Sequence, residues 1–316
     1  MKIKTLLYSL FASSLALGFT ACDDDIPDTE IKQYYTPKTA IGKTLLDNSF
    51  AVARLYSDTT IVLGLGVEET DLHFMKQDGY STHAFIIDVD LNNPNVSLEV
   101  CMPFDDNAIG DRQTPSEMAK YVDRPYHRLT AMVNADFWDV SNGKIRGPLS
   151  HNGEVIKDTF NYFVSNGQQG LSFVGLTKDN KMVIADSTDY PAMKYNLKEA
   201  TGSGIIFVRD GEIPTFQWSN VEPRTSIGYT DDGHVYLMVV DGRGGSIFYS
   251  YGINYADMGS IMQALGCRNA VNLDGGGSSQ LLVRHPVADT YQIRNRPTDG
   301  SERAVVNCWG VFVEEP

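Results

Sequence analysis

The chain is poor in cysteine, in basic residues and in calcium-loop patterns, and each shortage closes a class of function. Of its four cysteines, Cys22 ends a leader-like segment, leaving Cys101, Cys267 and Cys308. At most one internal disulfide can form among these three, and one thiol is left over. There is no Cys-x-x-Cys pair and no Cys/His group at zinc spacing, which removes thiol relays and zinc chemistry. Only 26 Lys+Arg stand against 40 Asp+Glu, a formal charge of −14 that becomes −16 when Lys2 and Lys4 leave with the leader. So acidic a protein repels nucleic acid and anionic membrane surfaces. No Asp-x-Asp-x-Asp-Gly spacing occurs, so a calcium loop of that kind is absent.

What is present begins with "MKIKTLLYSLFASSLALGFTAC": two lysines, an uncharged stretch from Thr5 to Ala21, and small residues before Cys22. That is the form of a signal peptide, too short to span a membrane and stay. "FTAC" resembles a lipobox, with Phe19 where that motif prefers Leu, and the "DDD" after Cys22 resembles the acidic signal of some Bacteroidetes surface lipoproteins. The expectation is a signal peptide over 1–21, lipidation of Cys22, and a cell-envelope protein that meets the outer membrane only through its N-terminal lipid.

Residues 22–80 read as a polar tether and a small N-terminal element, and residues 81–316 as the main domain. There, short β-branched and aromatic runs bounded by Gly, Asn and Asp recur, among them "HAFIIDVDL", "LTAMVNADF", "HVYLMVVDG" and "VVNCWGVFVEE". These are strand signals. Helical signals are fewer. In "TPSEMAKYV", Thr114, Pro115 and Glu117 fit a capping box, and "NYADMGSIMQALGC" sets Tyr255, Met258, Ile261, Met262 and Leu265 at helical spacing before Gly266. The fold class is α+β: a β-rich, mixed-sheet domain with few helices, its strand-end loops forming one cleft.

Polar residues collect at those strand ends. They are Asn134 and Asp136; Glu222, Arg224 and Thr225; Asp241 and Arg243; Asn272, Asp274 and Ser278; and Glu302, Arg303 and Asn307. Taken singly, Asp241-Gly242 and Asp274-Gly275 are ordinary turn dipeptides, and a lone arginine is a solvated charge. Repetition of one form, apolar strand then carboxylate or arginine then glycine, argues that several ends converge. The stretch "NLDGGGSS" has more glycine than a hairpin needs. Gly275, Gly276 and Gly277 are expected to turn N–H groups inward as an anion nest, with Ser278 and Ser279 adding hydroxyls.

"NADF", "PRTSIGYT", "VVDGR", "ALGC", "NAVNLDGGGSSQL" and "ERAVVNCWGVFV", in that order, resemble the phosphodiester glycosidase domain family over about Thr82 to Val313. The chain departs from it at Asn134-Ala135-Asp136-Phe137, where relatives often show Asn-Gly-Gly-Phe, and at Asp257, where Glu is common. The resemblance implies a hydrolase acting on a sugar-1-phosphodiester, such as one of N-acetylglucosamine, with a glycan or sugar-phosphate as its partner and no cofactor or metal. It places Asp274, Asp241 and Asp136 as candidate catalytic groups. Asn134, Arg224, Thr225, Arg243, Asn272, Gly275, Gly276, Gly277, Ser278, Ser279, Arg303 and Asn307 then become candidate substrate-binding residues.

The chemistry suits these residue types. A phosphate monoester, with its second pKa near 6, leaves as an anion without a protonating acid. Guanidinium groups can take over that role by holding the phosphate as charge builds. Two other readings stay open: a carbohydrate-binding lipoprotein without turnover, for which Ala135-Asp136 speaks, and a hydrolase gathering Asp136, Asp241 and Asp274 around a divalent cation.

Overall fold

Strands dominate because the apolar runs are short, β-branched and punctuated by turn residues. The computed structural model describes residues 34–161, 167–244 and 249–314. The leader and Cys22 lie outside these residues. The first half holds α1 (Ala40–Asn48), β1 (Arg54–Gly64), β2 (Val67–Met75), β3 (Ser81–Asp90), β4 (Val96–Cys101), α2 (Pro115–Val122), β5 (His127–Asn134), β6 (Leu149–His151) and β7 (Glu154–Lys157). Then come β8 (Ser172–Thr177), β9 (Met182–Asp186), α3 (Tyr190–Met193), β10 (Leu197–Ser203), β11 (Ile206–Val208), β12 (Arg224–Thr230) and β13 (His234–Val240). The chain continues through α4 (Tyr255–Ala264), β14 (Cys267–Asn272), β15 (Leu281–Arg284), β16 (Tyr291–Ile293) and β17 (Cys308–Glu314).

The strands form three sheets, ordered β1-β2-β3-β13-β12-β14-β11, β7-β6-β10-β8-β9 and β16-β15-β5-β17-β4. The β-rich α+β class is as read from the sequence, but every pairing of these strands is antiparallel and the sheets are not mixed. Parallel neighbours need long crossovers, and tight hairpins such as β1–β2 and β12–β13 leave no room for them.

β2 pairs with β3 along its whole length, from Val67 opposite Val89 to Met75 opposite Ser81. The segment before residue 81 therefore contributes two strands to the large sheet. Its helix α1 is tied to α4 by a 2.8 Å bond between the Ser49 and Ser260 hydroxyls.

One core fills the space between the sheets, with Phe85, Val100, Val133, Val174, Leu237, Val271 and Trp309 among its members. A second lies under α1 and α4, where Met238, Val240, Ala270, Met258 and Ile261 pack. β13 alternates between the two, which explains why "HVYLMVV" is apolar on both faces. The α2 capping box forms as the sequence predicts, with Glu117 N–H donating to Thr114 Oγ1 at 3.3 Å and Thr114 N–H to Glu117 Oε2 at 3.2 Å. Such a cap contributes about 1 kcal/mol. α4 starts on Asn254, whose side chain accepts from Asp257 N–H at 2.9 Å, and stops before Gly266 at φ +82°.

Candidate active site

The ends of β5, β12, β13 and β14 and the start of β17 bring the strand-end polar residues to one region. Asn134, the last residue of β5, donates from Nδ2 to the Asp274 carbonyl at 2.6 Å, while its Oδ1 accepts from Thr225 Oγ1 at 2.7 Å and Gln280 N–H at 3.1 Å. It thus braces the glycine turn. On the far side Asp274 N–H donates to the Ala135 carbonyl at 2.9 Å, and Asn307 Oδ1 accepts from Asp136 N–H at 2.9 Å. Asn134, Thr225 and Asn307 are buried. They hold backbone in place beneath the site.

The turn is a single 3₁₀ turn, Gly276–Ser278. The Gly275 and Gly276 N–H groups do not turn toward a ligand as the anion nest expected from the sequence requires. Gly275 N–H donates to Asp274 Oδ1 at 3.0 Å, Gly276 N–H to the Pro223 carbonyl at 2.9 Å, and the Ser278 and Ser279 N–H groups to the Gly275 and Gly276 carbonyls at 3.2 Å. Those donors are spent within the turn and on Pro223. The glycines instead admit neighbours: a Cβ on Gly277 would lie 1.9 Å from Arg303 Nη2, one on Gly276 3.3 Å from Arg243 Nη2, and one on Gly275 2.9 Å from the Pro223 carbonyl.

Three arginines therefore surround the turn. Arg224 is buried, its guanidinium 4.4 Å from the Tyr255 ring centroid, with Nη1 donating to the Tyr255 hydroxyl at 3.0 Å and Nη2 to the Asn220 carbonyl at 3.2 Å. Arg303 donates from Nη1 to Ser278 Oγ at 3.3 Å and from Nε to Asp299 at 2.8 Å. Its backbone is gripped by Gln280, which accepts from Arg303 N–H at 2.6 Å and donates to its carbonyl at 3.0 Å. Arg243, with φ +54°, is half exposed and pairs with Glu222 at 2.6 Å.

Burial raises the pKa of Asp274 and Asp136, as it does that of Asp241. Partial burial pushes Asp274 up to about 6 against the pull of the Ser278 hydroxyl, the Gly275 N–H, Arg303 and Trp138. Asp136 is fully buried, and that burial pushes it up to about 7, helped by the negative charge of Asp274 and opposed by the Gly147 N–H and Lys157. It sits in a slot between two glycines: a Cβ on Gly147 would lie 2.0 Å from the Gly202 Cα, and one on Gly202 2.6 Å from Asp136 Oδ1. Gly147 N–H donates to Asp136 Oδ2 at 3.1 Å, while Oδ1 has no hydrogen-bond partner.

Asp241 differs from both. Its oxygens accept from the Tyr249 hydroxyl at 2.6 Å, Asn295 Nδ2 at 3.0 Å and Arg296 N–H at 2.9 and 3.0 Å. With every approach taken, it is a clamp on the 295–296 segment, not the free catalytic carboxylate read from the sequence. Asn295 carries the clamp to the turn by donating to the Ser279 carbonyl at 2.9 Å. Asn272 and Ser279 are buried, and their side-chain atoms lack hydrogen-bond partners. Glu302 turns away, accepting from Ser116 N–H at 2.9 Å.

No group of three or more His, Cys, Asp and Glu side chains able to hold a metal occurs among the described residues. Cys101, Cys267 and Cys308 are buried free thiols, and burial raises the pKa of each. A cavity of about 610 Å³ lies at the other end of β12 and β13, lined by Asp179, Asp231 and Asp232 with Lys181 and no arginine. It lacks the donors that gather at the glycine turn.

Sequence reading missed Gln280, Trp138, Tyr255 as an arginine partner, Asn295, Lys157 and the Gly147–Gly202 slot. Tyr255 and Gln280 each lie inside a motif quoted above, and Trp138 directly follows "NADF". The others carry no local signal, because their roles come from contacts across the fold.

A model of the phosphodiester glycosidase family matches residues 127–312. The uncharacterized SPbeta prophage-derived protein YomE of Bacillus subtilis (strain 168) is 33% identical over 206 residues, 62% of this chain. The match takes in 29% of that relative's length. Among solved structures, the catalytic domain of zebrafish N-acetylglucosamine-1-phosphodiester alpha-N-acetylglucosaminidase, auto-inhibited by its pro-peptide, superposes with a TM-score of 0.60 at 19% identity, covering 82% of this chain and 88% of that one. A hypothetical protein from Synechocystis gives 0.57 at 16% identity, covering 81% and 64%. At these identities the structural likeness is one of fold.

Proposed function

The chain belongs to the phosphodiester glycosidase family, and from that premise we propose that it hydrolyses a sugar-1-phosphodiester at the anomeric carbon, releasing sugar and a phosphate monoester. One observation carries the reading: three arginines converge on a glycine turn that also bears Asp274. A departing phosphate monoester needs planar multi-donor partners, which guanidinium groups supply. Arg303 and Arg243 flank the outer face of the turn as phosphate ligands, and Arg224 stands behind it.

Asp274 has a carboxylate of raised basicity that is still ionised at neutral pH. That suits attack on the anomeric carbon, activation of water, or stabilisation of an oxocarbenium-like transition state. Asp136 gives up its proton later chiefly because it is buried, and the negative charge of Asp274 adds to that effect. Two coupled carboxyls pushed apart in this way divide the acid and base roles between them.

The test is hydrolysis of N-acetylglucosamine-1-phosphodiesters and related sugar-1-phosphodiesters in ¹⁸O water. Cleavage at the sugar carbon leaves the phosphate unlabelled. Label in the phosphate would mark a phosphodiesterase and overturn the reading, and tight binding without turnover would favour a carbohydrate-binding lipoprotein. From the "FTAC" ending of the leader we also propose that the protein sits at the cell envelope, held by lipid on Cys22. Cys22→Ala should then move it out of the membrane fraction.

A further inference from the structure

Lys157, the last residue of β7, is a cation whose charge acts on Asp136 and which the proposed chemistry leaves without a task. Its ammonium donates to the Gly147 carbonyl at 2.5 Å and to the Thr159 carbonyl. Gly147 in turn donates its N–H to Asp136 Oδ2 at 3.1 Å. Gly147 thus has the lysine on its carbonyl and the carboxylate on its amide.

Gly147 has little freedom to move between them. Its α-carbon lies against Gly202, where a Cβ on either residue would come within 2.4 Å of the other's Cα. A lysine that grips this residue therefore fixes the donor that Asp136 sees. Lys157 is half-buried, a costly place for an ammonium unless it has a partner charge.

We infer that Lys157 is a positioning residue for Asp136: it anchors Gly147 so that the N–H stays on Oδ2, and its positive charge offsets that of the buried carboxylate. The charged side chains acting on Asp136 are Lys157 from β7 and Asp274 from the glycine turn, with opposite signs. Those acting on Lys157 are Asp136 and Asp158. Burial is the larger effect on Asp136, and the Gly147 N–H and the Lys157 that anchors it oppose the rise. The consequence for hydrolysis rests on the proposed role of Asp136, but the link between the two side chains does not.

The experiment is a pH titration of the Asp136 ¹³Cγ signal in full-length protein labelled at aspartate and assigned with Asp136→Asn. Lys157→Met should raise the midpoint by about one pH unit, the size expected for losing a nearby opposite charge. Lys157→Arg should keep it close to wild type. An unchanged or lower midpoint in folded Lys157→Met overturns the inference and leaves Lys157 as a tie between two carbonyls. Should Lys157→Met fail to fold, the reciprocal measurement decides: Asp136→Asn should lower the midpoint of the Lys157 ¹⁵Nζ signal, because coupling between two sites is mutual. No change there overturns it equally. The pH profile of kcat/KM separates the two proposals. If the NMR midpoint moves and the kinetic limb does not, Asp136 has no part in hydrolysis and the action of Lys157 on it stands.

Discussion

Arg303 occupies the space where a side chain at Gly277 would begin, with its Nη2 1.9 Å from the Cβ position. The guanidinium reaches Ser278 only because residue 277 lacks that atom. Gly277→Ala should push Arg303 off the turn while leaving the surrounding backbone in place, since the displaced group is the end of a flexible side chain. The expected outcome is a loss in kcat/KM of about 10- to 100-fold, mostly through KM, comparable to losing one charged hydrogen bond. A melting temperature within a few degrees of wild type is the control.

Asp274→Asn should lower kcat by at least about 10²–10⁴-fold, the range of a positioned acid–base group. Its fold should survive, because Asn-Gly suits the same turn. The sign of the stability effect is informative. The folded-state pKa of Asp274 is raised from 3.8 to about 6, so ionisation costs stability as the pH climbs through that interval. Asp274→Asn should therefore be at least as stable as wild type at pH 7 when both are unfolded in urea.

The paired carboxyls also set the pH dependence. With Asp274 at about 6 and Asp136 at about 7, kcat/KM should rise through the first value and fall through the second, both belonging to the coupled pair. Asp136→Asn should remove the falling limb. In stability terms, the contribution of neutral Asp136 is fully present below its unfolded value of 3.8 and is lost as pH rises through about 7. Thermal melts from pH 4 to 8 should decline for wild type, and for Asp136→Asn the decline should be smaller and end near pH 6, where Asp274 has ionised.

Asp241 should behave in the opposite way to Asp274. Removing an acceptor from Tyr249, Asn295 and Arg296 leaves buried donors unpaired, so Asp241→Ala should lose about 2–4 kcal/mol in urea unfolding. Its effect on kcat, measured on the folded fraction, should stay within about tenfold, below what a positioned acid–base group contributes.

Thiol reagents should act slowly. Cys101, Cys267 and Cys308 are all buried with raised pKa values, so little thiolate is available. Inactivation that tracks global unfolding is the expected result. Fast inactivation prevented by substrate would contradict it.

The strands and the two longest-signalled helices were legible because periodicity and caps are local: Thr114 and Glu117 lie three residues apart and meet as the sequence says. That Arg224, Arg243 and Arg303 could meet was also legible, since Arg224 opens β12 and the other two lie in the loops after β13 and before β17. Their reason for converging was not. Three glycines in a row read equally well as mobile turn, anion nest or clearance for neighbours, and only the position of Arg303 beside Gly277 decides among them. Asp241 and Asp274 look alike in the chain, each an Asp-Gly after a strand. Asn295 and Arg296, more than fifty residues from Asp241, make them different. The antiparallel sheets depend on pairings such as β3 with β13, which no short window contains.

The position of β17 bears on how such a protein is made. It is inserted between β5 and β4, so the strand that supplies Cys308–Glu314 completes the middle of its sheet. A growing chain that has displayed every other strand still carries an open gap between two hydrogen-bonding edges, and Asn307, which holds Asp136, has yet to arrive. Contacts across such long sequence separations form late, because the loop between them must close first. The nascent chain therefore stays unlatched until β17 emerges, and its open strand edges are exposed to proteases and aggregation meanwhile.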